Sequence, residues 1–157
     1  MKCGTCCRSL LEESEGVLKG LTLTANETDL FPSSMVSPQT ALGRKKPARI
    51  INYQLNVDYC PHINQRNECE IYDKRPLICR AFPYIQGNFS VKCPIFKKLF
   101  KREGLRVTFP MSHAEVEASL KRDRLTQNLL KRYWKKGSKM WIYDLRSKQW
   151  KPFAQRI

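Results

Sequence analysis

The stretch Cys69-Glu70-Ile71-Tyr72-Asp73-Lys74-Arg75-Pro76-Leu77-Ile78-Cys79-Arg80-Ala81-Phe82-Pro83 decides how this chain is read. Ile71 and Tyr72 are expected to pack as a short strand after Cys69. Asp73 is a candidate cap. Pro76 suits the first position of a one-turn helix, where its fixed φ fits and a missing N–H costs nothing. That helix would carry Cys79 at its end. Arg75 and Arg80 stand beside several thiols, where guanidinium groups offset thiolate charge, lower thiol pKa values and donate hydrogen bonds to sulfur. Arg80 adjoins Cys79 and is the favoured candidate for that role. The alternative for both arginines is ordinary surface ion pairing.

Working outward, seven cysteines stand at Cys3, Cys6, Cys7, Cys60, Cys69, Cys79 and Cys93. An odd number leaves one thiol over if all others pair. The start, Met1-Lys2-Cys3-Gly4-Thr5-Cys6-Cys7, has no apolar signal core, so a reducing cytoplasm is expected, where disulfides rarely persist. Reduced, clustered thiols read as metal ligands, because thiolate is the soft donor that zinc and iron–sulfur centres select. Cys3-Gly4-Thr5-Cys6 is a two-residue knuckle able to aim both sulfurs at one ion, with Gly4 easing the backbone. Cys7 follows at once; it serves the same centre or a different one. The later gaps of 8, 9 and 13 residues match no zinc finger, zinc ribbon or ferredoxin run.

The knuckle and the 69–83 block together resemble the YkgJ-type cysteine-cluster family of zinc- or iron-chelating domains. That family has a CxxCxxCC start and a Cys-x-Ile-Tyr-x-x-Arg-Pro-x-x-Cys-Arg-x-Phe-Pro centre. Cys60-Pro61 fits its earlier cysteine and Cys93 its later one, so the resemblance covers residues 3–93. It implies iron or zinc chelation by these seven cysteines, and many such proteins are described as iron–sulfur proteins. The family's first cysteine would lie before Met1, so either the start is upstream or this protein works with one thiol fewer. Seven thiols leave one of two four-ligand sites short, unless water, substrate, His62 or another side chain completes it. The primary centre is expected to use Cys3, Cys6, Cys69 and Cys79, with Cys7, Cys60 and Cys93 completing or extending it. Tyr72, Arg75 and Arg80 would support them.

The chain has 157 residues and a formal net charge of +15. Residues 94–157 hold 17 basic and 5 acidic side chains, so most of the basicity lies there. Such a field attracts nucleic acid or an acidic partner, or is simply a solvated surface. No apolar run is long enough for a transmembrane helix. Gly-rich phosphate loops, nucleophile elbows and His-Glu-x-x-His helices are all missing from the sequence.

The expected fold is a small α+β domain, with short strands, hairpins and helices around a cysteine-lined metal site. Residues 1–93 would form the metal-binding region, with 32–47 as a Pro- and Ser-bearing loop. Residues 94–157 would form a basic extension packed into the same domain. Leu18 to Leu23 reads as one strand, and Thr24-Ala25-Asn26-Glu27 as a capping box opening a short helix. Arg49 to Val57 reads as a strand and Tyr84 to Val91 as a hairpin around Gly87-Asn88. A helix is expected over 94–103 and a strand over 105–109. A longer helix should run from about 113 to 136, opened by Ser112 and Glu115 and closed by Gly137. Its apolar face would hold Val116, Leu120, Leu129, Leu130, Tyr133 and Trp134. Trp141 to Phe153 reads as a closing hairpin. Its aromatics, with Trp134, either stack bases or, as favoured, pack the core.

Three functions compete. One is a cytoplasmic iron–sulfur or iron-binding protein, with a redox or group-transfer role as one reading. Another is a structural zinc module whose basic half binds nucleic acid or an acidic partner. The third, a lysine methylase-like enzyme, lacks the Gly-rich strand–loop–helix that binds its methyl donor. Whether the chain is an enzyme is left open by its sequence.

Overall fold

A computed structural model describes residues 4–82, 84–85, 88–89, 98 and 113–153. In chain order the strands are β1 (Glu12–Ser14), β2 (Val17–Lys19), β3 (Thr22–Leu23), β4 (Val36–Gly43), β5 (Arg49–Leu55), β6 (Tyr84–Ile85), β7 (Asn88–Phe89), β8 (Lys139–Asp144) and β9 (Gln149–Pro152). The α-helices are α1 (Leu77–Ala81) and α2 (His113–Tyr133). The fold is mixed α+β, as expected. Two compact units are present, Met1–Ser9 with Tyr59–Asp123 and Leu10–Asp58 with Arg124–Ile157. Each draws on two separate segments.

The second unit is built on a five-stranded antiparallel sheet in the order β3-β5-β4-β8-β9. β5 lies inside it, and Ile51, Asn52, Gln54 and Leu55 are all buried, as a strand covered on both faces requires. The 32–47 stretch is a correction. It is not a loop, because Val36–Gly43 forms β4, the middle strand. Pro38 is tolerated there for two reasons. The pairing with β5 shifts register next to it, and β8 covers only Thr40–Gly43, so Pro38 stands where β4 has one neighbour.

The single strand expected over 18–23 is also corrected, since it breaks into β2 and β3 at Gly20. A Cβ on Gly20 would lie 1.6 Å from the Leu55 carbonyl oxygen, so only glycine lets the chain pass β5 so closely. Gln54 fixes this crossing. Its Oε1 accepts from Gly20 N–H at 2.8 Å, and its Nε2 donates to the carbonyls of Pro38 (2.8 Å) and Tyr143 (3.2 Å). Gln54 is fully buried, yet both ends of its amide are satisfied. Leu23 and Leu55, also fully buried, each contribute about 1.5–3 kcal/mol of apolar burial.

The capping box forms as expected. Thr24 N–H donates to Glu27 Oε2 at 2.7 Å, and a 3-10 helix spans Ala25–Leu30 before Pro32. The β8–β9 hairpin also forms, and Tyr143 opposes Trp150 with their rings edge-to-face at 5.3 Å. This aromatic pair packs across the strands, as favoured. β6 and β7 pair as the expected hairpin. The helix over 94–103, the strand over 105–109 and Ser112 lie outside the described residues.

α2 ends at Tyr133, short of residue 136, and Gly137 instead takes φ 82° in the turn toward β8. Its expected apolar face holds in part, with Val116, Leu129, Leu130 and Tyr133 half-buried. Leu120 and Trp134 are exposed, whereas Ala118, Ser119 and Arg122 are buried. The buried stripe follows helical spacing but is partly polar, which hydropathy patterning cannot detect. In the first unit Ala118 joins Leu77 and Ala81 of α1 in a small apolar cluster. No helix among the described residues is long and apolar enough to cross a membrane.

Asp144, at the end of β8, is 3% exposed and accepts from Lys151 Nζ (2.7 Å), Ser147 Oγ (2.9 Å), Leu18 N–H and Arg146 N–H. The Lys151 ammonium first, then Ser147 and the two amides, hold its carboxyl well below the usual range. A depressed folded-state pKa adds stability above the unfolded value of about 4 and loses it as pH falls further. Asp144→Asn should therefore lower the melting temperature at neutral pH, and thermal melts should show the gap to wild type closing below about pH 4. Gln54→Leu strands three backbone groups and should cost about 3 kcal/mol or more in denaturant unfolding.

Candidate metal centre

The first unit assembles the thiols from short, turn-rich segments. Gly4 takes φ 63° and opens a 3-10 turn over Thr5–Cys7, closed by Cys7 N–H donating to the Gly4 carbonyl at 3.0 Å. A Cβ on Gly4 would lie 2.9 Å from Ile63 Cδ1 and 3.2 Å from Asn67 Cβ. Both the left-handed backbone and the close approach therefore require glycine. Cys60 N–H donates to the Cys7 carbonyl at 2.9 Å, and Arg8 bridges Tyr59 in antiparallel fashion. These two links join the amino-terminal knuckle to the segment entering the central block.

Residues 60–70 fold back on themselves. Asn64 Oδ1 accepts from Arg66 N–H and Glu68 N–H, both at 2.9 Å, and Asn64 N–H donates to the Glu68 carbonyl. Asn67 turns the chain at φ 59°, and Arg8 hydrogen-bonds its side chain. The returning strand meets the outgoing one at Ile63↔Cys69, and Glu70 N–H donates to the His62 carbonyl at 2.9 Å. This closed loop carries Cys69 back toward Cys60. The polar run Asn64-Gln65-Arg66-Asn67 carries the signal, since asparagine turns the chain by bonding its own backbone. Our sequence reading did not use it.

The central block differs from expectation at its start. Ile71 and Tyr72 make no strand; Tyr72–Lys74 is a single 3-10 turn. Pro76 caps α1 in extended conformation, one position before the helix, and Cys79 lies within α1 rather than at its end. Arg80 Nε donates to the Arg75 carbonyl at 2.8 Å, and its Nη2 donates to the Asp73 carbonyl at 3.1 Å. Arg80 thus ties the turn shut through backbone oxygens. The guanidinium whose charge bears on the thiols is Arg75's. It donates to the Tyr72 carbonyl at 2.8 Å and stacks over the exposed Tyr72 ring at 3.7 Å.

Cys6, Cys7, Cys60, Cys69 and Cys79 are all free thiols, and none is exposed. Cys6 Sγ and Cys7 Sγ lie 3.9 Å apart. The neighbouring Cys7 thiol holds Cys6 down to about 7 and Cys60 down to about 6. Arg75 adds to the effect at Cys6; the His62 N–H and imidazole add to it at Cys60. Cys7 itself is pushed far up by its neighbours Cys6 and Cys60 and by burial. Burial raises Cys69, with the charges of Cys60 and Cys6 adding to it. Burial also drives Cys79 up strongly, followed by the charges of Cys6, Cys60 and Cys69. The charge of Arg75 opposes the rise at both.

Five thiols from residues 6–79 therefore act on one another through space. Among the described residues, no three His, Cys, Asp or Glu side chains already stand as a group set to hold a metal ion. Cys3 and Cys93 lie outside the described residues. Cys6 and Cys60 are shifted toward the thiolate, and Cys7, Cys69 and Cys79 are shifted away from it. The soft donor set fits a bound metal, since a cation supplies the charge that ionising the other three requires.

A family model described as CxxCxxCC, putative zinc- or iron-chelating domain, matches residues 1–103. The chain belongs to this family. Membership in the CxxCxxCC family carries zinc or iron chelation as the expected chemistry, consistent with the soft, reduced donor set. The matched span includes all seven cysteines. No curated protein and no solved structure matches the chain.

Gly4→Ala and Gly16→Ala form an informative pair. Both positions take positive φ, so each substitution should cost about 1 kcal/mol. A Cβ on Gly16 meets nothing within 4 Å, whereas one on Gly4 meets Ile63 and Asn67. Unfolding measurements should show the larger loss for Gly4→Ala.

Proposed function

We propose that this CxxCxxCC protein binds its metal through Cys6, Cys7, Cys60, Cys69 and Cys79, with Cys3 and Cys93 extending the donor set. The observation that carries this reading is a set of five free thiols from residues 6–79, none of them exposed, with Cys6 Sγ and Cys7 Sγ 3.9 Å apart and Cys60 N–H bonded to the Cys7 carbonyl. Elsewhere thiols this close would repel as thiolates or oxidise together. A metal ion converts that conflict into bonding.

The preferred group is an iron–sulfur cluster, with zinc as the alternative. Either group takes four thiolates, which the five described thiols can supply, and the preference for iron–sulfur rests on the soft, all-sulfur donor set. An iron–sulfur centre would supply electron transfer or Lewis acidity when bound. The chain's own residues do the rest. Gly4 and Asn64 shape the two turns that present sulfur, Arg75 offsets thiolate charge, and Arg80 holds the turn before Cys79. A reducing cytoplasmic compartment would keep these thiols available.

Elemental analysis of anaerobically purified protein should find iron, and the protein should be brown with absorption near 400 nm. Stoichiometric zinc in a colourless protein would establish the zinc form instead. Cys60→Ser and Cys79→Ser should each lower metal content several-fold and reduce the melting temperature of the metal-loaded protein. Full metal content and an unchanged melt in both variants would refute this ligand set.

A further inference from the structure

Two strongly basic segments meet at one end of the five-stranded sheet, within the second unit. Residues 44–49 and 131–139 hold nine Lys or Arg and no Asp or Glu. Sheet register brings them together, since Leu42 pairs with Arg49 across the β4–β5 turn while Gly43 pairs with Lys139 at the start of β8. Trp141 Nε1 donates to the Gly43 carbonyl at 3.1 Å and fastens the two segments. A Cβ on Gly43 would lie 1.8 Å from the Lys46 carbonyl oxygen, so the β4–β5 turn is tightly closed over glycine. Between the segments lies a cleft of about 440 Å³. Arg44, Arg49, Tyr133 and Lys135 line it, with Leu42 and Ala48 adding apolar surface.

The aromatic content of this end matters as much as its charge. Arg49 stacks over the Tyr133 ring at 4.4 Å, and its Nη2 donates to the Tyr133 hydroxyl at 3.0 Å. Arg132 flanks the same ring at 5.5 Å. The adjoining Trp134 side chain is 51% exposed, which is costly for a residue of its size unless a partner covers it. Cations able to neutralise successive phosphates, next to an uncovered aromatic plane, form the combination that holds single-stranded nucleic acid. Phosphates meet Lys and Arg, and a base stacks on the ring. Trp134 lies outside the cleft lining but directly between its lining residues Tyr133 and Lys135 in the chain, where a base next to a bound phosphate can reach it.

We infer that the cleft between residues 44–49 and 131–139 binds the backbone of a single-stranded nucleic acid, with Trp134 stacking one of its bases. The site is built from residues of the second unit alone, and its chemistry does not involve the thiols. Metal content measured on the same samples therefore reports separately on the proposed metal centre.

The test uses the full chain and a fluorescent single-stranded oligonucleotide about 15 nucleotides long, followed by anisotropy over a series of salt concentrations. Binding should weaken linearly in log–log form as salt rises. Arg44→Gln combined with Lys135→Gln should weaken it about ten-fold or more and make the salt slope shallower by about 1.4, which is 0.7 for each lost phosphate contact. Both residues are exposed, so circular dichroism of the double variant should match wild type. Trp134→Ala should weaken binding by about ten-fold, and Trp134→Phe should restore most of it. Arg124→Ala, an exposed cation outside the cleft, should change little. Salt-independent binding, an unaltered affinity in the double variant, or polyglutamate binding as tightly as the oligonucleotide would each overturn the proposal.

Discussion

Sulfur atoms gathered in one neighbourhood cannot all carry negative charge unless something positive joins them. That constraint organises the first unit. Cys6 and Cys60 are held below the ordinary thiol range by the neighbouring Cys7 thiol, while Cys7 itself is pushed up. Cys69 and Cys79 remain difficult to ionise, because they are desolvated and because their neighbours ionise first. Arg75 lies within reach of three of the thiols and relieves part of the conflict. One guanidinium cannot balance five thiolates, and the metal proposed above would supply further positive charge.

The turns that present the sulfurs follow from this need. Thiols placed on long regular elements would stand at fixed intervals along one face. Here they stand on a 3-10 turn, on the two limbs of an Asn64-centred loop and on a helix of five residues. Gly4 and Asn67 adopt left-handed backbone so that the knuckle and the loop can approach within van der Waals distance. Among the described residues such a segment shows little apolar burial of its own. Its small cluster of Leu77, Ala81 and Ala118 contrasts with the sheet-bound core around Leu23, Ile51 and Leu55.

Much of this was legible in the sequence. The Cys69–Pro83 block located the helical turn to within one residue, and the Thr24–Glu27 box, the β5 strand and the β8–β9 hairpin followed from local signals that the structure keeps. The failures have identifiable causes. Pro38 and two adjacent serines made 32–47 look like a loop, but a register shift and a partly uncovered edge let the proline stand in a central sheet strand. Gly20 split a continuous apolar run because it passes directly over a carbonyl of β5, a tertiary fact with no local signature. On α2 the buried stripe runs through Ser119 and Arg122 before reaching the half-buried Leu129, Leu130 and Tyr133, so hydropathy found the second half of the face and misplaced Leu120. At the thiol cluster, adjacency to Cys79 favoured Arg80, whereas the fold uses Arg80 as a backbone clasp and turns the charge of Arg75 toward sulfur.

The alternation of segments between the two units has a consequence for synthesis. Cys6 and Cys7 are made before β1 through β5, and Cys60 follows only after those strands. Those strands in turn wait for β8, which covers one side of β4 and is made near the carboxyl end. Neither unit can close around local contacts alone, so loop-closure entropy should make folding slow for a chain of this length. A nascent chain would therefore expose reduced thiols and an unpaired β4 edge together, the period in which metal delivery or protection by a chaperone would matter most.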